Sequence, residues 1–552
     1  MPGRRTVELR QTVSEWARVS EQFEPTGSTS RADIHWVYLA TLYFLLSGAA
    51  FYLYLARVLP PDELGAVVIL QAITTVVAAT LALGLGSGFQ HFLSYYKGRR
   101  EPERLRILLK GSLTAAALLA LVGFAITFAL SGSLAALLFR SPDYQPAIEL
   151  VGLYAGLSTA MAVLQGTVLG LQRFALYAAR SIVAYTTSYG AAIVFLHLWP
   201  GVRSIVAGWV LGASVGCVLY VAAVVGERAP SDGTAPLPPA SALPSTPLYR
   251  SVLLYSLPVL VSSVITSSAT YIDRLVLAGI SSLSSVGFYN YALLFVMGSQ
   301  VVTAPFGTIL LPKLSEHLGR DDRPAIRAIT RTSVTLVVLI YVPFALAIAA
   351  LGPFLLGLLV GPSFVRDSFP MAVLLLFTAA SIPGGILGSL AAGIRRTPAL
   401  MQAAALALAA NAGLSVLLIP RIGILGAALG NSAMYWGPLL VLFLALRGTG
   451  LIEVDLASIA RIWGAAIAMA LVVALPLLLW GYRLPLVLGA AALGLAVLLV
   501  TLRLLRAIPS DATEYLLHVI PRRLGLLQPA VCWVAACDGC QHRPEPVGAV
   551  AK

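Results

Sequence analysis

Asp273 and Arg274 stand side by side inside the apolar run Val252–Ile280. A charge at the centre of a bilayer costs about 3 kcal/mol on insertion scales, so ionisable residues in apolar spans mark ion and substrate pathways more often than packing. Neighbours on a helix point about 100° apart, so the pair cannot simply neutralise itself, and each member needs its own partner or water. Two readings of Arg274 stand. It faces a cleft, where a fixed positive charge suits a phosphate, or it reaches the headgroups beyond Ile280, about 9 Å further along the helix. Asp273 has the chemistry of a proton or sodium coupling group. Lys110 is a second, weaker candidate for the phosphates, a cation near one end of an apolar run, where its stem can also snorkel to the headgroups. Gln71 and Asn290 are uncharged hydrogen-bonding residues on early apolar runs of the two sides of the chain, alongside Gln90, His91, Tyr271 and Gln300.

These residues need elements that cross a membrane. Of 552 residues, 58% are hydrophobic and 11% charged. A soluble globular domain cannot cover its surface with so few polar groups. The apolar runs reach about 20 residues, the length of a helix that crosses a bilayer, and they lack the short alternation of barrel strands. They predict fourteen spans: 36–56, 65–90, 107–130, 147–171, 177–198, 204–226, 252–280, 286–312, 332–358, 369–393, 399–419, 424–446, 461–481 and 484–503. No cleavable leader is read from the polar, basic first 33 residues. Val13, Trp16, Val19 and Phe23 there recur at the spacing of a surface-lying helix.

Charge sets the expected direction. Most of the 37 Lys and Arg fall on one side, in clusters such as Lys97–Arg106 and Lys313–Arg331, while loops on the other side carry single arginines such as Arg57, Arg140 and Arg366. By the positive-inside bias both termini are cytoplasmic. The net charge of +13 is thereby a topology signal, and no nucleic-acid partner is needed to explain it. The expected organisation is a tail (1–34), a six-helix bundle (35–226), a Pro/Ser/Ala-rich linker (227–250), a second six-helix bundle (251–447), two further helices (448–503) and a tail (504–552).

The two bundles repeat at an offset of about 222 residues. Gly65 falls opposite Gly287, the basic turn near Lys97 opposite that near Arg320, and Leu169–Arg180 opposite Ala391–Gln402. An even number of spans separates the copies, so they share one orientation and are related by an axis along the membrane normal, with a central cleft between them. The place matching Asp273 and Arg274 holds Phe51 and Tyr52. Gly84, Gly86 and Gly88, with Pro305 and Gly307 in the second copy, are expected bending points.

With six plus six spans, two added C-terminal spans, and the stretches ARVLPPDELGAV, LGLGSGF and YIDRLVLAGISSLSSVGFYNYALLF, residues 35–503 resemble the polysaccharide-transporter branch of the multidrug/oligosaccharidyl-lipid/polysaccharide flippase superfamily. The chain is similar to O-antigen flippases of the Wzx type, and more distantly to lipid II flippases and multidrug and toxin extruders. The resemblance implies a V-shaped pair of bundles that moves a polyprenyl-(di)phosphate-linked oligosaccharide across the cytoplasmic membrane by alternating access. It also implies an ion gradient as the drive and places Gln71 and Asn290 on cleft-lining spans. Membrane lipids, a coupling proton or sodium ion and glycan-assembly enzymes are the expected partners. A multidrug or cation extruder of the same fold is the alternative, and a membrane-embedded glycan-assembly enzyme a further one.

No G-x-x-x-x-G-K-[ST] phosphate loop occurs, and the spans hold no nucleophile, metal or paired-acid arrangement, so neither catalysis nor a cofactor is expected. The tail cluster Cys532, Cys537, Cys540 and His542 lacks the two-pair spacing of a structural zinc site, and no metal is assigned to it.

Overall fold

A computed structural model of the chain describes residues 31–99, 101–226, 245–300, 322–394, 396–509, 511–513 and 528–535, with a few single residues between 303 and 317. The expected surface helix near Trp16, most of the linker, Pro305, Gly307, the basic turn near Arg320 and three of the four tail ligands lie outside the described residues.

The first half comprises α1 (Arg31–Val58), α2 (Pro61–Leu81), α3 (Leu85–Gly98), α4 (Pro102–Ala129), α5 (Gln145–Gly170), α6 (Phe174–Leu198) and α7 (Val202–Gly226). The second comprises α8 (Ser245–Ile280), α9 (Leu283–Gln300), α10 (Arg323–Ala350), α11 (Ser368–Ser381), α12 (Pro383–Gly393), α13 (Thr397–Ile422) and α14 (Ile424–Arg447). Two further helices, α15 (Leu456–Trp480) and α16 (Leu484–Leu504), pack on each other and on α10, and α17 (Gln528–Ala535) rests on α16. Among the described residues, thirteen helices are long and apolar enough to cross a membrane by length and composition. The fourteenth expected span begins as α9, which is described only as far as Gln300.

Local chemistry places several boundaries. Pro61 and Pro102 open α2 and α4, where a missing N–H costs nothing. The expected span 65–90 breaks after Leu81, because Leu83 and Gly84 both take left-handed φ angles, 50° and 66°. Gly84 suits that conformation, and it also lies so close to the Ser256 carbonyl of α8 that a Cβ has no room. The other two glycines of this stretch serve close packing: Gly86 against Ala162 of α5, Gly88 against Val252 and Ser256 of α8. A second expected span, 369–393, is likewise two helices, α11 and α12, meeting at Ile382.

The repeat is visible in the backbone. A one-turn helix (Ser131–Leu134) running into a π-helical turn (Ala135–Phe139) recurs as Gly352–Leu355 and Leu356–Val360, and both are followed by a 3-10 turn opened by proline. Contacts between the halves are reciprocal too. Gly65 of α2 abuts the Leu283 carbonyl, and Gly287 of α9 abuts the Pro61 carbonyl. Ser284 donates to Asp62, the residue at the same place in the other copy, 222 positions away. Arg57 donates to the Leu358 carbonyl (2.6 Å), while Arg140 donates to the Gly279 carbonyl. The glycine contacts and the Asp62–Ser284 contact are exchanged by a two-fold axis between the halves, and the arginine contacts match to within four residues.

One core is shared across that axis. Leu55, Val67 and Ile148 of the first half and Leu277, Tyr289 and Val342 of the second belong to a single buried cluster at the end where α2 meets α9. Toward the other end the cores separate: one around Leu93, Leu108 and Val163, the other around Leu314, Ile326 and Leu390. The halves thus share one core where α2 meets α9, and a second core joins α8 to the first half through Val252. Helix α8 bridges the halves, packing on α2 and α3 as well as on α13.

Candidate functional site

The side chain of Asp273 is fully buried. Its Oδ2 accepts from the Tyr289 hydroxyl of α9 (2.6 Å) and the Asn431 amide of α14 (2.8 Å), and its Oδ1 accepts from the Arg274 backbone N–H (2.9 Å). Tyr289 also reaches the Ala427 carbonyl (3.2 Å). One turn back on α8, the Ala269 carbonyl accepts from Asn411 of α13 (2.8 Å), whose side chain in turn accepts from Ser415 (3.1 Å). Three helices of the second half, α8, α9 and α14, thus meet at one carboxylate, and α13 is tied to α8 one turn away. Two atoms of the surroundings remain without a hydrogen bond, Arg274 Nε and Asn431 Oδ1.

Arg274 is 3% exposed. Its guanidinium lies over the Tyr271 ring, 4.8 Å from the centroid, a favourable cation–π placement. The positions that match the network in the first half are apolar: Phe51, Val67 and Trp209, opposite Asp273, Tyr289 and Asn431, are all buried in the shared core.

A cavity of about 580 Å³ lies between the first half and α8, within the usual 300–1,000 Å³ of small-molecule sites. From α2 it takes Gln71, Thr74, Thr75, Ala78 and Ala82; from α5, Tyr154, Ser158, Met161 and Gln165; from α6, Tyr177, Tyr185 and Tyr189. Each set recurs at three-, four- or seven- to eight-residue intervals, one face of a helix. From α8 come Val259, Ser263 and Ser267. Tyr271 and Arg274 continue the same α8 stripe, Arg274 about 10 Å beyond Ser267, so the arginine sits past the cavity floor. Among the described residues, the lining holds no Asp, Glu, Lys, Arg or His.

Of the polar residues singled out in the sequence, Gln71 and Gln90 line this cavity. Asp273 and Arg274 lie together in the buried network beyond it. Asn290 is half-buried on α9 beside Tyr289, and Lys110 is exposed on α4; neither lines the cavity. The tyrosines of α5 and α6 were missed as site residues. Their signal was in the spacing, since residues 177, 185 and 189 share one helical face. The aromatic walls pack on first-half neighbours: Tyr189 stacks on Phe51 (4.7 Å), Tyr185 lies against Phe44 (4.6 Å) and Tyr154 against Trp209 (5.5 Å).

Two repeated helical bundles, with an uncharged cavity between the first half and α8, make up a multi-pass membrane architecture. Solved structures share it. Lipid II flippase MurJ in an inward closed conformation aligns with a TM-score of 0.64 at 14% identity, over 84% of this chain and 97% of that one. A multidrug resistance MATE family transporter of the MOP superfamily, inward-facing, aligns with a TM-score of 0.62 at 15% identity, over 76% and 98%. A MOP superfamily transporter from Pyrococcus furiosus, described as having a binding pocket of reverse polarity, aligns with a TM-score of 0.55 at 15% identity, over 76% and 95%. No curated protein matches the sequence. Residues 54–367, more than half of the chain, match the family described as polysaccharide biosynthesis protein, and the chain belongs to that family.

Proposed function

We propose that this protein is a flippase. It carries a polyprenyl-(di)phosphate-linked oligosaccharide across the cytoplasmic membrane by alternating access, with both termini cytoplasmic, and delivers it to glycan-assembly enzymes. The observation that carries this reading is a cavity lined by the first half and α8, without a charged side chain among the described residues, in a chain of the polysaccharide biosynthesis family. A head group of sugars needs a hydrogen-bonding route while its lipid tail stays in hydrocarbon.

In this reading Arg274 meets the phosphates when the halves part at the shared-core end and Tyr271 swings off its guanidinium. Asp273 is the ion-coupling group, its charge state altering the pull on α9 and α14. Gln71 contacts the sugar. Asn290, next to Tyr289, follows the movement of α9, and Lys110, exposed on α4, holds anionic headgroups at the entry side. An extruder of cationic compounds is the competing reading; such cargo calls for an acidic or apolar wall, and the described cavity has no acid.

The test is reconstitution into liposomes with a labelled undecaprenyl-diphosphate disaccharide, with movement read by enzymatic access to the sugar from outside. Ion-gradient-dependent movement that Arg274→Ala abolishes is the expected result. Ethidium efflux without glycolipid movement would establish the extruder instead.

A further inference from the structure

The cavity is lopsided. Its lining comes from the first half except for Val259, Ser263 and Ser267 of α8. Along the pair of helices whose register the reciprocal glycine contacts pin, Gln71 and Thr74 of α2 correspond to Leu293 and Val296 of α9, both buried and apolar. The fold therefore does not require polar residues at those places, and their presence in one copy calls for a ligand. Thr74 and Thr75 return their hydroxyl protons to the Leu70 and Gln71 carbonyls (3.0 and 2.9 Å), which leaves their oxygens free to accept. The Gln71 and Gln90 amides are both at the lining, and the buried Tyr52 hydroxyl, also at the lining, has no partner among the described residues. Amides that both donate and accept, hydroxyls and flat tyrosine faces suit the alternating hydroxyl and C–H surfaces of a pyranose. They do not suit an ion: a carboxylate or ammonium moved into this lining meets no countercharge and loses its water.

We propose that the first-half cavity is a subsite for uncharged sugars, with Gln71, Gln90, Tyr52, Tyr154, Tyr185 and Tyr189 as its contacts, and that it selects glycans without carboxylate or amino groups over charged ones. This rests on the flippase reading and adds the chemical class of the cargo's head.

The test uses the full chain in nanodiscs at pH 7 and three probes: undecaprenyl diphosphate, the same lipid bearing N-acetylglucosamine–glucose, and the same lipid bearing N-acetylglucosamine–glucuronic acid. The neutral glycolipid is expected to bind at least tenfold more tightly than either of the others. Gln71→Leu, which installs the residue of the other copy, is expected to cost at least fivefold for the neutral probe and nothing for the bare lipid, and Gln90→Ala is expected to behave in the same direction. Equal binding of the glucuronate probe overturns the selection for neutral sugars while the flippase reading stands. Binding of the bare lipid as tight as that of the neutral glycolipid removes the saccharide subsite and also leaves that reading intact. No binding of any probe sinks both.

Discussion

The Asp273 carboxylate accepts three hydrogen bonds from three different residues. Buried charges persist only where donors replace the lost water, and here Tyr289, Asn431 and a backbone N–H do so within 2.6–2.9 Å. Hydrogen bonds to charged groups contribute about 1.5–3 kcal/mol each. Tyr289→Phe, which removes one donor and keeps the ring, is therefore expected to destabilise the protein by roughly that amount. Thermal unfolding in detergent measures it, and an unchanged melting temperature would mean that the bond does not stabilise the fold. Sequence reasoning found Asp273, Arg274 and Gln71 because a charge or amide in an apolar run is conspicuous. It did not find Tyr289 or Asn431 as partners of Asp273, since 16 and 158 residues of chain separate them from it and only tertiary packing brings them together.

At the level of single helices, the start of α15 offers a clean measurement. Asp455 caps it, accepting from the Ser458 backbone N–H (3.0 Å) and hydroxyl (2.8 Å). The backbone bond above all holds its pKa below the ordinary 3.8. A carboxylate depressed in this way stabilises the fold above its unfolded pKa and loses that contribution as the pH falls through its folded pKa. Asp455→Ala is expected to cost about 1 kcal/mol at pH 7, and the gap between variant and wild type should narrow below about pH 4. Unfolding scans at the two pH values check the sign; a gap that widens in acid would contradict it. Helices were legible because length and apolar content identify a span with no knowledge of its neighbours. Gly84 was an expected bending point, but the break at Ile382 was not legible, since a continuous apolar run hides a change of direction. A glycine was visible at the first break but could not announce that its φ would be positive.

For the molecule as a whole, the proposed flippase cycle turns on whether the end at which α2 meets α9 opens. Asp62 and Ser284 touch there across the two halves. Replacing both by cysteine, in a background from which the 4 native cysteines have been removed, is expected to give an oxidisable pair. Glycolipid movement should stop on oxidation and return on reduction. Movement that continues through a formed disulfide would mean that the halves do not part at that point during transport.

The reciprocal approach of Gly65 and Gly287 has a consequence for how such a molecule became lopsided. A contact that is its own mate is what two copies of one subunit make about a two-fold axis. A homodimer built that way would carry every residue twice: two aspartates facing two arginines, or two aromatic clusters and no charge. Written into a single chain, the same interface is kept while each copy changes alone. One copy has gathered the uncharged cavity and the other the buried carboxylate, a division of labour that identical subunits cannot reach.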